Sequence, residues 1–415
     1  MRAAVGAGGL GPRRPLPVVL AGARGHGARH LENIRRLQHA GLVRLVGVCE
    51  LRPLTGEELT GFGAVEQSAD FAGLLDSTGA AVAVICTPIP THTGLALTAA
   101  ARGVHVLLEK PPAPSYAEFR RMADGAAAAG TVVQIGFQSL GSHALPAIRR
   151  LIAEGAVGDV TGVGGAGAWV RDAAYFRRAP WAGRRRLAGT DVVDGVLTNP
   201  LAHAVSTALA LADATEAEDV TAVETELFRA HAIESDDTSC VRVSTASGRR
   251  VTVAATLCAH TAGEPYVVVH GTRGRITFWY RQDRVEVRGA GAVPGRQRRD
   301  SDADSDSDAA SGGTTLHGRT DLLENLVAHL AGRAPLLVPP AATGAFMRVV
   351  EAVRTAPDPV ELPERAWAAA PDDRAGRRVV HGVDGLVVLA ADTLRLYSEL
   401  GADWARPAPT TFTTR

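Results

Sequence analysis

Apolar positions in the first 140 residues come in short unbroken runs. The runs at Pro17–Gly22, Val43–Glu50, Ala81–Thr87, Val104–Glu109 and Thr131–Phe137 are separated by stretches with helical spacing at Arg29–His39, Phe71–Asp76, Thr93–Arg102 and Tyr116–Ala128. Strands apolar on both faces that alternate with helices predict an α/β fold with a doubly wound parallel sheet. After a connecting helix at Ser142–Glu154 the rhythm changes. Longer Val/Thr-rich segments follow at Asp159–Val170, Val220–Arg229, Ser239–Ser244, Val251–Cys258, Tyr266–Val269, Arg275–Tyr280 and Arg284–Val287, with helices at Leu201–Leu211 and Asp321–Leu330. Consecutive strands without helices between them predict an α+β domain with an open, predominantly antiparallel sheet.

Three segments fall outside these patterns. Residues 1–15 are rich in Gly, Ala and Arg and read as a disordered leader. Residues 297–315 alternate Asp and Ser, have nothing to bury, and read as a disordered acidic insert in a surface loop. Residues 366–415 read as an extension packing back on the body through a helix at Gly385–Leu400.

Composition narrows the function. The formal charge is zero, which argues against nucleic acid as partner. No apolar stretch reaches the ~18 residues of a membrane span. Cys49, Cys86, Cys240 and Cys258 show neither a CxxC pair nor a metal-ligand spacing, so they read as reduced thiols of a cytoplasmic protein, and no metal is expected. Lysine is nearly absent. Lys110 is the sole lysine among 44 basic Lys and Arg residues. A position that keeps lysine where arginine is used everywhere else suits a group that must give and take a proton.

Candidate chemistry lies at strand ends. "LPVVLAGARGHGARH" from Leu16 runs a strand into a Gly-rich turn and a helix, so backbone N–H groups can approach a pyrophosphate. Gly22 and Gly27 take the outer positions of G-x-G-x-x-G; Arg24 occupies the middle one, with Gly25 and His26 after it. Arg24 either clashes with the phosphates or swings out to pair with them. Glu50 ends the second strand, where an acid accepts ribose hydroxyls and favours NAD; Arg52 nearby leaves NADP possible. "CTPIPTH" ends the third strand and turns the chain, with Thr87, Pro88 and His92, across the cofactor. "EKP" places Glu109 and Lys110 at the fourth strand end as an acid–lysine pair able to hold a proton and pass it on. Later, "VVDGVLTNPLAHA" carries Asp194, Asn199 and His203; the four-residue step from Asn199 to His203 places both on one helical face. A histidine and a lysine at a carbinol supply what hydride removal needs: a proton acceptor and a group that polarises the oxygen.

With these motifs in this order, the chain resembles the Gfo/Idh/MocA family over about residues 16 to 363, from the glycine turn to "VVEAVRTAPDPVELP" near residue 349. The resemblance implies a Rossmann domain at 16–140, a substrate and oligomerisation domain at 141–365, and NAD or NADP as cofactor, with Gln138 among the cofactor contacts. It implies Lys110 at both substrate and nicotinamide ribose, His203 as acid/base, sugar or cyclitol substrates, and a homodimer or homotetramer packed through the open sheet face. Asn199 stands where the family more often has Asp; it can orient a hydroxyl and cannot relay a proton. Arg171, Tyr175 and Trp181 lie in the loop after the first strand of the second domain, placed for substrate. Two other functions share the fold: a redox-neutral glycoside cleavage through transient oxidation, and non-catalytic dinucleotide or sugar binding.

Overall fold

The computed structural model describes residues 14–289, 313–370, 376–405 and 409–414. The first thirteen residues, and residues 297–312 of the expected insert, lie outside them. Thr314 and Thr315, the insert's last residues, are not loop but strand.

The chain opens with β1 (Leu16–Ala21), α1 (Gly27–His39), β2 (Val43–Cys49), β3 (Glu66–Ser68), α2 (Phe71–Thr78), β4 (Val82–Ile85), α3 (His92–Ala100), β5 (His105–Leu108), α4 (Tyr116–Ala128) and β6 (Val133–Ile135). All six strands are parallel, in the order β3-β2-β1-β4-β5-β6. Their apolar side chains are buried throughout β4 and β5 and from Val18 onward in β1, as a sheet covered on both faces requires. The order reverses between β1 and β4. Ligands in open α/β sheets bind at the carboxyl ends of the strands beside such a switch point. The glycine turn follows β1, "TPIPTH" follows β4 and "EKP" follows β5, so the topology gathers all three motifs at one edge.

Helix α5 (Ala144–Ala153) leads to β7 (Val160–Ala168), α6 (Ala173–Arg177) and a short hairpin of β8 (Arg186–Leu187) and β9 (Thr190–Asp191). Helix α7 (Ala202–Leu211) precedes the strands β10 (Val220–Arg229), β11 (Thr238–Thr245), β12 (Arg250–Thr256), β13 (Tyr266–Gly271), β14 (Gly274–Trp279), β15 (Arg284–Gly289) and β16 (Thr314–Leu316). Then come α8 (Leu322–Leu330), α9 (Gly344–Thr355), β17 (Val360–Glu361), β18 (Trp367–Ala369), β19 (Arg378–Val380), α10 (Val383–Thr393) and β20 (Thr410–Thr413). The large sheet runs β16-β15-β14-β13-β7-β12-β11-β10-β17, with β20 also on β10. It is mostly antiparallel; β12 and β7, and β10 and β17, are parallel pairs.

Six of the nine residues of strand β7 are Gly or Ala, and each glycine answers a neighbour. A Cβ on Gly167 would meet Leu201 Cδ1 at 2.6 Å, so this glycine seats the turn that opens α7. On the other face a Cβ on Gly164 would lie 2.0 Å from the Ala391 carbonyl oxygen of α10. The two helices thus pack against opposite faces of one strand. The side reached from α10 carries its own core, which includes Phe228, Val383, Val387 and the fully buried Tyr397. The sheet face that the family resemblance leaves open to a partner is filled by this chain's own segment. The helix there is shorter than Gly385–Leu400: it begins at Val383 and ends at Thr393, because Leu394 turns left-handed at φ 56°.

Candidate active site

The glycine turn is built by close backbone contacts. Gly22 has φ +81°, and a Cβ there would sit 2.5 Å from the Cys86 carbonyl oxygen; a Cβ on Gly27 would sit 1.8 Å from the Gly22 oxygen. Gly25, at φ +60°, has open space around it. Glycine is required at the first two positions by sterics and at the third by conformation. The helix therefore starts at Gly27, two residues earlier than its apolar periodicity indicates.

Arg24 neither clashes nor waits for phosphate. Its guanidinium turns outward to Glu58 Oε1 at 2.9 Å and to the Pro53 carbonyl at 3.0 Å. Glu50 Oε1 accepts the Ala23 and Arg24 N–H groups at 2.8 and 3.3 Å, tying the second strand end to the turn. The residues present fit a dinucleotide: a tight turn whose glycines leave no room for a Cβ against its own backbone at Gly22 and Gly27, open space at Gly25, and an acid beside it.

At the next strand end, His92 is buried at the start of α3. Its Nδ1 lies 2.9 Å from the Pro111 oxygen and its Nε2 2.8 Å from the Thr87 oxygen. His92 joins the "TPIPTH" and "EKP" loops, the neutral ring donating its one N–H to either the Pro111 or the Thr87 oxygen. Thr87 Oγ1 pairs with Thr91 Oγ1 at 2.6 Å, Pro88 is exposed, and Gln138 begins the turn after β6, half-buried.

Glu109 and Lys110 do not form the expected proton-holding pair. Consecutive residues of an extended strand end point to opposite sides. The buried Glu109 carboxylate faces α1, where its Oε1 lies 3.0 Å from His30 Nε2 and 3.5 Å from His26 Nε2; its Oε2 accepts the backbone N–H of Lys110 at 3.0 Å. Burial pushes this carboxyl up, but the His26 and His30 hydrogen bonds overcome that and hold it well below the usual carboxylate range. Glu109, His26 and His30 could share a cation, as could the buried His231, Asp237 and Cys258, whose Asp237 is already taken by backbone N–H groups.

The Lys110 amine crosses to the second domain. Its Nζ donates to Asn199 Oδ1 at 2.8 Å and to the Asn199 carbonyl at 2.9 Å. Asn199 Nδ2 donates to Asp194 Oδ1 at 2.7 Å, and Asp194 Oδ2 accepts the Gly183 N–H at 2.7 Å. Asn199 thus orients the lysine through its oxygen while Asp194 fixes which amide atom points where. Burial lowers the Lys110 pKa below that of a free lysine, partly offset by Glu109 and Asp194. Asp194 follows Val193, a buried β-branched residue held at φ +54°, a conformation that costs of order 1–3 kcal/mol. Asn199 and His203 do not share a helix: α7 begins at Ala202, and Asn199 stands on the turn before it.

His203 completes the junction. Its Nδ1 lies 3.1 Å from Ser139 Oγ, which accepts a hydrogen bond from Thr207 Oγ1 at 2.9 Å. The ring packs edge-on to Phe137 and beside Tyr280. Nδ1 is committed to Ser139, and Nε2 has no hydrogen bond among the described residues. Burial, then repulsion from Lys110, pushes the imidazole pKa down to about 3, so the ring is neutral.

Around Asp194 lies an aromatic and arginine layer. The Arg178 guanidinium sits 3.7 Å over the Tyr175 ring and 4.7 Å over the Trp181 ring, with Nη2 3.5 Å from Asp194 Oδ2. Arg171 lies 5.0 Å over both Trp169 and Tyr175. Ser139, Thr207, His30 and Arg178 were not singled out by the sequence. Only the position of Ser139, just past a parallel strand end, offered a signal.

A switch-point glycine turn, joined through an EKP lysine to Asn199 on the turn before a helix that packs on a mixed sheet and carries His203, defines a two-domain NAD-binding oxidoreductase. Two family models match accordingly: the oxidoreductase family with an NAD-binding Rossmann fold at residues 16–137, and the GFO/IDH/MocA C-terminal domain at 146–277. The chain belongs to the Gfo/Idh/MocA oxidoreductase family. It is 26% identical over 155 residues to levoglucosan dehydrogenase of Pseudarthrobacter phenanthrenivorans, covering 37% of this chain and 39% of that one. It is 32% identical over 147 residues to inositol 2-dehydrogenase 4 of Saccharopolyspora erythraea, covering 35% and 43%. The chain therefore spans about two fifths of the length of these curated relatives. The WlbA dehydrogenase of Bordetella pertussis, solved with NADH and UDP-GlcNAcA, has the same fold at TM-score 0.66 and 21% identity, over 82% of this chain and 95% of its own. An oxidoreductase domain protein from Kribbella flavida matches at TM-score 0.65 and 21% identity, over 83% and 97%. Among the described residues no helix is long and apolar enough to cross a membrane.

Proposed function

We propose that this chain is a dehydrogenase that moves a hydride between a nicotinamide and a ring carbinol or ketone of a sugar, cyclitol or related molecule. The observation that carries this reading is the convergence of a lysine amine and a neutral imidazole at the edge of the dinucleotide cradle. In the oxidation direction the substrate C–H bond breaks as hydride, the O–H proton leaves to protein, and C=O forms. Nicotinamide, when bound, supplies the hydride acceptor. His203 Nε2, unprotonated in the tautomer whose Nδ1–H donates to Ser139 Oγ, takes the hydroxyl proton; Lys110, held by Asn199, polarises the oxygen. NAD is favoured over NADP by the Glu50 carboxylate, which would face an added 2′-phosphate. The dehydrogenases of levoglucosan and inositol among the relatives support the substrate class. The four unpaired thiols support a reducing, cytoplasmic setting.

The first test is a fluorescence titration with NADH and NADPH, followed by a screen of sugars and cyclitols for NADH formation. Tighter binding of NADH is expected. With a substrate in hand, Lys110→Ala should lower kcat by about 100-fold or more, the usual contribution of a proton-transfer group. Full activity of that variant at saturating cofactor would remove Lys110 from the chemistry.

A further inference from the structure

We propose that the substrate of this site carries an oxyanion, a carboxylate or a phosphate ester, which Arg171 and Arg178 hold; this rests on the ring-carbinol reading above. Both guanidiniums lie over aromatic rings, Arg178 over Tyr175 and Trp181, Arg171 over Trp169 and Tyr175. Stacking covers the faces of a guanidinium and leaves its edge N–H groups, the part that reads a planar or tetrahedral oxyanion. It also removes much of the rotamer freedom that a long side chain would otherwise lose on binding.

The charges around the layer are unbalanced. Arg178 shares Asp194, which also anchors Asn199 and feels Lys110. Arg171 is in no ion pair among the described residues; one Nη donates to the carbonyl of its own neighbour Val170 at 2.9 Å. With one backbone carbonyl and the Tyr175 hydroxyl as its hydrogen-bond partners, a guanidinium of five donors keeps N–H groups for a ligand. The layer is also in the right place. From Lys110 Nζ the hydrogen bonds run through Asn199 to one oxygen of Asp194, and Arg178 touches the other. The arginine layer therefore adjoins the residues that hold the Lys110 amine.

The test is a calorimetric titration of the intact protein, with and without NADH, using glucuronate, glucose 1-phosphate and glucose as probes. NADH is the form that cannot oxidise a carbinol, so binding is read apart from turnover. An acidic probe is expected to bind at least about tenfold tighter than glucose. Arg171→Gln should remove that preference and leave glucose affinity within about twofold, and Arg171→Lys should restore part of it. Preference for glucuronate marks a sugar acid, and preference for glucose 1-phosphate a sugar ester. Equal or tighter binding of glucose, no binding of either acidic probe at about 10 mM, or an equal loss for all probes in Arg171→Gln would overturn the proposal. Acid-selective binding with no NADH formed from any carbinol would leave the proposal standing and count against the dehydrogenase reading instead.

Discussion

His203 is a base whose availability does not depend on the pH of the cell. Its imidazole is driven to a pKa of about 3 by burial and by the Lys110 ammonium. Neutral in the folded chain and protonated near pH 6.5 in the unfolded one, it makes the unfolded state bind more protons between those values. Stability is therefore complete above pH 6.5 and is lost as pH falls toward 3, by at most about 1.4 kcal/mol per pH unit from this one ring. His92, lowered by burial as well, acts in the same direction. Thermal melts of the cofactor-free protein between pH 7 and 4 should show a falling Tm that His203→Gln makes shallower. A slope unchanged by that substitution would mean that the ring titrates normally. The residue types that carry charge were legible in the sequence where they were rare. One lysine stood out against a background of arginine, and His203 against an apolar run. Arg178 could not stand out, since it is one arginine beside Arg177 and close to Arg184, Arg185 and Arg186. Ser139 and Thr207 are common types whose role comes only from Ser139 meeting His203 and Thr207 across 64 and 68 residues of chain.

At the scale of elements, periodicity reported burial well and ends poorly. The strands of the parallel sheet were readable because both faces are covered, whereas β3, with the sequence Glu66-Gln67-Ser68, has no apolar residue to betray it. The apolar run around α10 continues through Leu396 and Tyr397, yet the helix stops at Thr393: Leu394 turns left-handed and the run goes on burying itself as a turn. Strand β7 shows why composition misleads in the other direction. Glycine weakens a strand, and here its cost is accepted because α10 needs the room. Gly164→Val would drive a side chain into the Ala391 carbonyl and should destabilise the protein by at least about 1–3 kcal/mol. Gly94, exposed in α3 with open space around its Cβ position, is the contrast: Gly94→Ala should stabilise by about 0.5 kcal/mol. Denaturant melts of the two variants should move in opposite directions. A neutral Gly164→Val would show that α10 is not held close to the strand.

At the scale of the molecule, the segment from residue 366 onward covers one face of the large sheet. Helix α10 lies on the central strand β7, Asp384 accepts the His260 and Thr261 N–H groups, and the Ala391 oxygen is held by His270 Nε2 at 2.9 Å. Beyond the helix, Glu226 accepts the Tyr397 and Ser398 N–H groups, and β20 adds a strand to β10. A face and part of an edge are thus occupied from within. Sequence alone could place an apolar helix here but not say which surface it covers, because the glycine stripe that receives it lies more than 200 residues earlier. Covering an apolar sheet face from within removes the main reason for two copies to associate through it. The protein should therefore sediment with the mass of a single chain at micromolar concentration, and hydrogen exchange should protect the amides of α10 as strongly as those of β7. Fast exchange in α10 together with a dimer mass would mean that the segment gives way and the face serves a partner copy after all.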